Sequence, residues 1–458
     1  MNFGRMGASF GRAAALRKAG RGDFPYPSFP YTTLAKFQTT ADVQSSFCCS
    51  AIADVAVSGS PYPGGTMIQG TFNGGTSTFV PKAFLSSPIS IGPYDSIRWT
   101  WAPMSGWHGL GSPTAFGIAL FSSGSPSALP SNYHLVFNAS LIKAMSTSVS
   151  TGVAGRPQSA SFPISQAVAV GGGANLNNVI GAALIGTRGS NGTIAAIGNI
   201  DHVPNPRTKG AVIISDDDTY VGQYSQGYLN IFKPNGIPVE FAPAPSLTTI
   251  GTNPASWYDW AAIADMKAGG GQWIGKSFST ESAATVDGWS SAQRTQEYAN
   301  ARNYPAVGGG LNIRRDTYDG DYYSNVGPAD MTAYPELSAA YRTLRNFKNM
   351  QTSNNPPWPG YSETFPPGDP KQIICCNNNT FGDGSTTLDQ YLTYALDYTR
   401  NCRGILMLGF HNDFGNSNIV NMINNTLIPY VKTTYPDQME FTTRRKLFAP
   451  HNGDTLLG

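Results

Sequence analysis

Charge is what this sequence has least of. Among 458 residues only 30 are Lys or Arg and 28 are Asp or Glu, 13% together, which is about half the share usual in a soluble domain. The formal net charge of +2 and the lack of any basic stripe interleaved with aromatics exclude a nucleic-acid-binding surface. No uncharged apolar run reaches the length of a membrane-spanning helix. Cysteine is scarce too, as Cys48-Cys49, Cys375-Cys376 and a lone Cys402. Adjacent cysteines lack the C-x₂-C spacing of a zinc ribbon, so they read as buried thiols, with an inter-chain disulfide left open for a chain outside the cell. His108, His134, His202 and His451 are scattered without ligand spacing and receive no catalytic or metal role. Gly171-Gly172-Gly173 and Gly308-Gly309-Gly310 lack the Lys-Ser/Thr of a phosphate loop.

What is present is 51 glycines, 33 prolines and 12% aromatics, in a chain long enough for two or three domains and too rich in aromatics to be disordered. The small net charge conceals an asymmetry. Residues 1–200 hold 11 basic and 4 acidic side chains and the remainder 19 and 24, so the two parts read as different domains. Between Asp95 and Asp201 there is no acidic residue, and the only basic ones are Arg98, Lys143, Arg156 and Arg188. Such a stretch suits β-structure whose faces meet other protein, because buried charges are costly.

Residues 1–22 carry five basic residues and no acid, with Phe3-Gly4-Arg5 echoed at Phe10-Gly11-Arg12. Arg12 and Arg17 flank only Ala13 to Leu16, too short for the apolar core of a secretory signal. The segment reads as an arm, either solvated or ordered by docking into a larger assembly. Short Gly-Arg-Phe arms of this kind resemble the N-termini of bacteriophage tail proteins.

From residue 23 to 206, short alternating runs recur between turn residues: 66–72, Ser96 to Trp101, Phe116 to Phe121 and 133–137. These predict an all-β domain, sandwich or jelly-roll-like, with few helices. Trp99, Trp101 and Trp107 are candidates for a sugar-stacking platform. Alternation puts Trp99 and Trp101 on one strand face, which favours core packing.

From residue 207 to 458 the pattern changes. Ala211 to Ser215 is a continuous apolar run ending in Asp216-Asp217-Asp218, which predicts a buried parallel strand delivering carboxylates at its tip. A helix over Tyr224 to Phe232, a strand over Val239 to Ala242, a helix over Trp260 to Lys267 closed by Gly269-Gly270-Gly271, and a strand starting at Ile274 follow. This is the βαβ rhythm of a parallel sheet or (β/α) barrel. Helices are also expected over Leu388 to Arg400 and Ile419 to Lys432.

The order I-I-S-D-D-D (213–218), helix, N-G-I-P-V-E-F (235–241), then W-Y-D-W and I-A-D-M-K-A-G-G-G-Q-W-I-G within 257–275 resembles the polysaccharide deacetylase (NodB-homology) family of carbohydrate esterases. The resemblance implies a distorted α/β barrel, (β/α) in its repeat, that removes acetyl groups from glycans with a metal-bound water. It places the catalytic base on Asp216, the metal-ligating carboxylate on Asp217 and the two metal-binding histidines on Ser277 and Glu281. Gly404 to His411 resembles the strand carrying the family's general acid, which falls on His411. The family arginine motif falls near Arg314 or Arg315 with Tyr318. Both metal-binding histidines are thus replaced, and Asp217, Ser277 and Glu281 offer oxygen alone. Such a set suits a harder ion such as Mg²⁺ or Ca²⁺, or no metal at all.

Together these readings describe a virion-associated, extracellular, homo-oligomeric protein: a tail fibre, tailspike or baseplate appendage. It would have a docking arm (1–22), a β-rich domain (23–206) facing other virion tail proteins, and a degenerate deacetylase-like barrel (207–458) that binds host cell-surface polysaccharide without a cofactor. An active deacetylase, using a divalent metal with Asp216 as base and His411 as acid, is the other reading.

Overall fold

The computed structural model of the chain describes residues 29–43, 50–56, 66–71, 75–103, 113–125, 131–136, 158–188, 194–217, 220–242, 259–275, 283–308, 319–321, 332–341, 343–348, 362–370, 373–377, 388–411 and 413–448. The basic arm, Cys48, Cys49, Trp107, His108, Asp218, Ser277, Glu281, Arg314, Arg315, Tyr318 and His451 lie outside the described residues.

Strands β1 (Thr32–Ala35), β2 (Ser50–Ala56), β3 (Thr66–Thr71), β4 (Gly75–Phe79), β5 (Ser96–Pro103), β6 (Pro113–Phe121), β7 (Tyr133–Leu135), β8 (Gln158–Pro163), β9 (Val168–Val170), β10 (Gly181–Arg188) and β11 (Ile194–Val203) form two antiparallel sheets. One runs β2-β3-β11-β5-β8 with β1 added on β11, the other β4-β10-β6-β7-β9. Alternation along β5 explains the packing. Ile97, Trp99 and Trp101 enter a shared core with Ile118, Leu120, Ala182 and Leu184 of the facing sheet, so the two sheets form the expected sandwich. The indoles of Trp99 and Trp101 stack with centroids 4.7 Å apart, which assigns both to the core rather than to a sugar platform.

The other face of that sheet is where the missing charge matters. Ser96, Arg98, Thr100, Ser159 and Asp201 are all buried although they point away from the sandwich core. Several of these groups bond one another: Arg98 Nη2 bonds Asp201 Oδ2 at 2.8 Å, Thr33 Oγ1 donates to Asp201 Oδ1, and the Thr100 and Ser159 hydroxyls are 2.8 Å apart. Part of the cover comes from this chain itself. A Cβ on Gly368 would sit 2.5 Å from the backbone nitrogen of Ser161, so the 362–370 segment lies directly on β8.

The second unit is an all-parallel sheet of β12 (Gly210–Asp217), β13 (Val239–Ala242), β14 (Gln272–Trp273), β15 (Asp319–Asp321), β16 (Thr343–Lys348), β17 (Ile373–Asn377) and β18 (Ile405–Phe410), with β19 (Met439–Phe441) pairing on the start of β12. Its order, β14-β13-β12-β18-β17-β16-β15, is chain order read cyclically, as in a (β/α) ring cut at one seam. Among the described residues β14 and β15 do not pair, so the expected barrel is open there. The third strand also starts before Ile274, at Gln272.

Helices α1 (Gln223–Phe232), α2 (Trp260–Ala268), α3 (Ala283–Asp287), α4 (Ser291–Gly308), α5 (Tyr334–Ala340), α6 (Leu388–Cys402) and α7 (Ser417–Met422) alternate with the strands. Apolar residues of α1, α2, α6 and α7 pack on Val212, Ile214, Val239, Phe241, Leu406 and Leu408. The opposite, inner face carries Ala211, Ile213, Ile373, Cys375, Ile405 and Met407. The helix expected over Ile419 to Lys432 is instead α7 followed by two π-wound turns, Ile423–Leu427 and Tyr430–Thr434. Helix α1 is π-wound as well; there Gly227 lies against the Phe414 ring, 2.6 Å from where a Cβ would be. The chain returns under the sheet as α8 (Arg444–Phe448). Arg444 makes a fully buried ion pair with Glu240 at 2.8 Å, and Leu447 and Phe448 fill the base of the inner face.

The two units meet at a short connection between β11 and β12. Asp95 holds His202 Nε2 at 2.8 Å and the backbone N–H of Asn205. Asn205 Nδ2 in turn donates to the carbonyl oxygens of Tyr94 and Cys402. The Arg403 guanidinium lies 3.4 Å from the centroid of the Tyr94 ring.

Candidate functional site

The C-terminal ends of β12 and β18 place the sequence candidates. In β12, Val212 and Ile214 face the helices while Ala211 and Ile213 face inward. Strand alternation then puts Ser215 on the inner face and Asp216 on the helix side. Asp216 is buried, 3% exposed, in register with Phe241 on one neighbour and Phe410 on the other. Asp217 is in register with Ala242. His411 follows Phe410 directly, half-buried. Its backbone N–H donates to Asp413 Oδ2, and its ring meets the Tyr220 ring edge-on at 5.3 Å. The fold therefore brings Asp216, Asp217 and His411 to one end of the sheet, on adjacent strands. Ser277 and Glu281 belong to the stretch after β14 that lies outside the described residues.

The residue that sequence reasoning missed is Arg345. It sits in mid-β16, 1% exposed, and its Nη1 donates to Ser215 Oγ at 2.7 Å. β16 and β12 are separated by β17 and β18. In a flat sheet that spacing is about 14 Å, with both side chains standing off the same face, beyond what the two could span. The bond therefore requires the sheet to curl around its inner face, as a barrel wall does. The available signal was an arginine inside the short run T-L-R-N-F-K (343–348), but its partner is 130 residues away.

Arg345 bears on whether the implied metal fits. Among the described residues no group of three His, Cys, Asp or Glu side chains is placed to hold an ion. The implied ligands are oxygen donors, without the imidazoles that zinc sites of this type use. Asp217 is two residues beyond Ser215, about 7 Å along the strand. Oxygen donors alone do not fit a zinc site of the kind the resemblance implies. What the described residues place here is a buried carboxylate on the helix side, a half-buried imidazole, and, on the inner face, a guanidinium bonded to a hydroxyl.

No protein-family model and no curated protein sequence matches the chain. Resemblance to solved structures is slight. A family 4 carbohydrate esterase from Streptomyces lividans is 11% identical over 48% of this chain and 90% of its own, with a TM-score of 0.28. A chitin deacetylase from Colletotrichum lindemuthianum is 10% identical over 48% and 84%, TM-score 0.27. A family 11 carbohydrate-binding module from Clostridium thermocellum is 12% identical over 38% and 96%, TM-score 0.25. Scores this low assign neither a family nor an activity.

Proposed function

We propose that the chain is a bacteriophage virion protein, a tail fibre, tailspike or baseplate appendage, whose α/β unit binds host surface glycan in a deacetylase-like cleft that has lost its turnover. The observation that carries the loss of turnover is Arg345: a buried cation hydrogen-bonded to Ser215 on the inner face, beside the strand tip where the family resemblance calls for a metal. The cyclic strand order and the carboxylates at the tip of β12 support the likeness to a deacetylase cleft. The virion assignment rests on the basic Gly-Arg-Phe arm and the charge-poor β domain. Homo-oligomers and contacts to other virion tail proteins belong to the same reading.

The test is to incubate the purified protein with acetylated surface polysaccharides from candidate hosts, reading metal content, acetate release and glycan binding, with Asp216→Ala beside it. Binding without acetate release is expected. Bound metal and acetate release that disappears in Asp216→Ala would replace this reading with a second one, an active deacetylase. That alternative is favoured by the placement of Asp216 and His411 at adjacent strand ends. For the virion assignment, deleting residues 1–22 is expected to abolish incorporation into particles while both units still fold; unchanged incorporation would remove the arm as anchor.

A further inference from the structure

We infer that the outer face of β8 is a docking surface whose partner is the base of the α/β unit, and that an exchange of segments in both directions makes the two units one cooperative body rather than modules on a hinge. The first segment belongs to the connection from β16 to β17. Its described part, 362–370, is an extended strap and not a helix, and all of it except Glu363 is buried. One side of the strap is bound to the α/β unit where the strands begin. Glu363 exchanges backbone hydrogen bonds of 2.8 and 2.7 Å with Ile405, and the Pro370 carbonyl accepts from the N–H of Leu344 at 3.0 Å. The other side lies on the sandwich. Position 368 has no room for a side chain, because a Cβ there would stand 2.5 Å from the Ser161 nitrogen and 2.6 Å from the Ala160 Cα. The second segment runs the opposite way. Phe29, three residues before β1, leaves the sandwich and joins Phe365 and Phe448 in the inner-face cluster of the α/β unit. Arg207, in the connection between the units, covers the Phe365 ring at 5.4 Å, and α6 rests on the turn Ile164–Gln166 that follows β8. Two units joined by one connection would be free to swing. Here each unit carries a piece of the other's surface, so unfolding either one uncovers apolar side chains of its neighbour, and neither opens alone. The strand-end rim then keeps a fixed direction relative to the sandwich, whatever that rim binds.

Native-state hydrogen exchange on the full-length protein, at low concentrations of denaturant, tests this through the slowest amides of β5 and β11 in the sandwich and of β12 and β18 in the α/β unit. One cooperative body requires both sets to open with the same free energy and the same denaturant dependence. Phe29→Ala removes a ring from the base of the α/β unit and is expected to speed exchange about tenfold in both sets alike. Gly368→Ala pushes a methyl group against the β8 backbone and should also speed both sets together. Two different opening free energies in the wild type would overturn the inference. So would a Phe29→Ala variant that speeds exchange in β12 and β18 alone, or in neither set. If Gly368→Ala does not fold, Phe29→Ala decides. Shared opening in a protein that binds no glycan would leave this inference standing and remove the proposed function; glycan binding by a protein whose units open separately would do the reverse.

Discussion

Asp95 shows how one side chain serves the junction between the two units. Burial pushes its carboxyl upward, but the hydrogen bonds from His202 and from the backbone N–H groups of Asn205 and Gly92 outweigh burial and leave it below the ordinary carboxylate value. A carboxyl with a folded value below its unfolded one stabilises the fold above the unfolded value. That contribution is lost as pH falls below it toward the folded value. Asp95→Ala is therefore expected to cost about 3 kcal/mol at neutral pH, from lost hydrogen bonds to a charged group, and to flatten the acid limb of the stability profile. Thermal melts at about pH 7 and about pH 3 would check both. A variant whose loss is equal at the two values would show that the carboxylate charge is not what matters. Such a role is invisible in sequence, because Asn205 is 110 residues from Asp95.

At the scale of elements, local pattern and long-range contact divide the outcome. Strand β12, strand β13, helix α2 and helix α6 were legible within one or two residues, since a continuous apolar run or a 3.6-residue stripe encodes each within its own span. The sandwich core was legible from the alternation of Ile97, Trp99 and Trp101. The π-winding of α1 was not; there Gly227 lies under the Phe414 ring of another element, a contact that no local pattern announces. Gly227→Ala should overpack that contact and cost about 1–3 kcal/mol. The exposed pair Lys233–Asp265, which links α1 to α2 at 2.6 Å, is worth about 0.5 kcal/mol. Urea denaturation of Gly227→Ala and Lys233→Ala would rank them; the lysine variant proving the more damaging would contradict this account of α1. At the candidate site, the position of Asp216, Asp217 and His411 at strand ends could be read from motif order, whereas the Arg345 contact could not, since nothing near it in sequence announces Ser215.

Across the whole molecule, the second unit is closed from beneath by its own C-terminal segment. Arg444 donates from its backbone N–H and its Nε to the two oxygens of Glu240, and both residues are fully enclosed. Removing one partner of such a pair strands the other charge, so Arg444→Ala is expected to cost about 3–5 kcal/mol, and Glu240→Gln combined with Arg444→Met less than the sum of the singles. Equilibrium denaturation of the four proteins would measure the coupling; additive losses would mean that the pair does not act as a unit.

That same base receives the other end of the described chain. Phe29 packs edge-on against Phe365 and Phe448, beside the residues that begin the strands, while Asp216, Asp217 and His411 stand where the strands end. Phe29 thus lies at one pole and the strand ends at the other, about 20 Å away along the strands. A pull on the described chain at Phe29 would therefore be borne by this aromatic knot, at the pole remote from the strand ends.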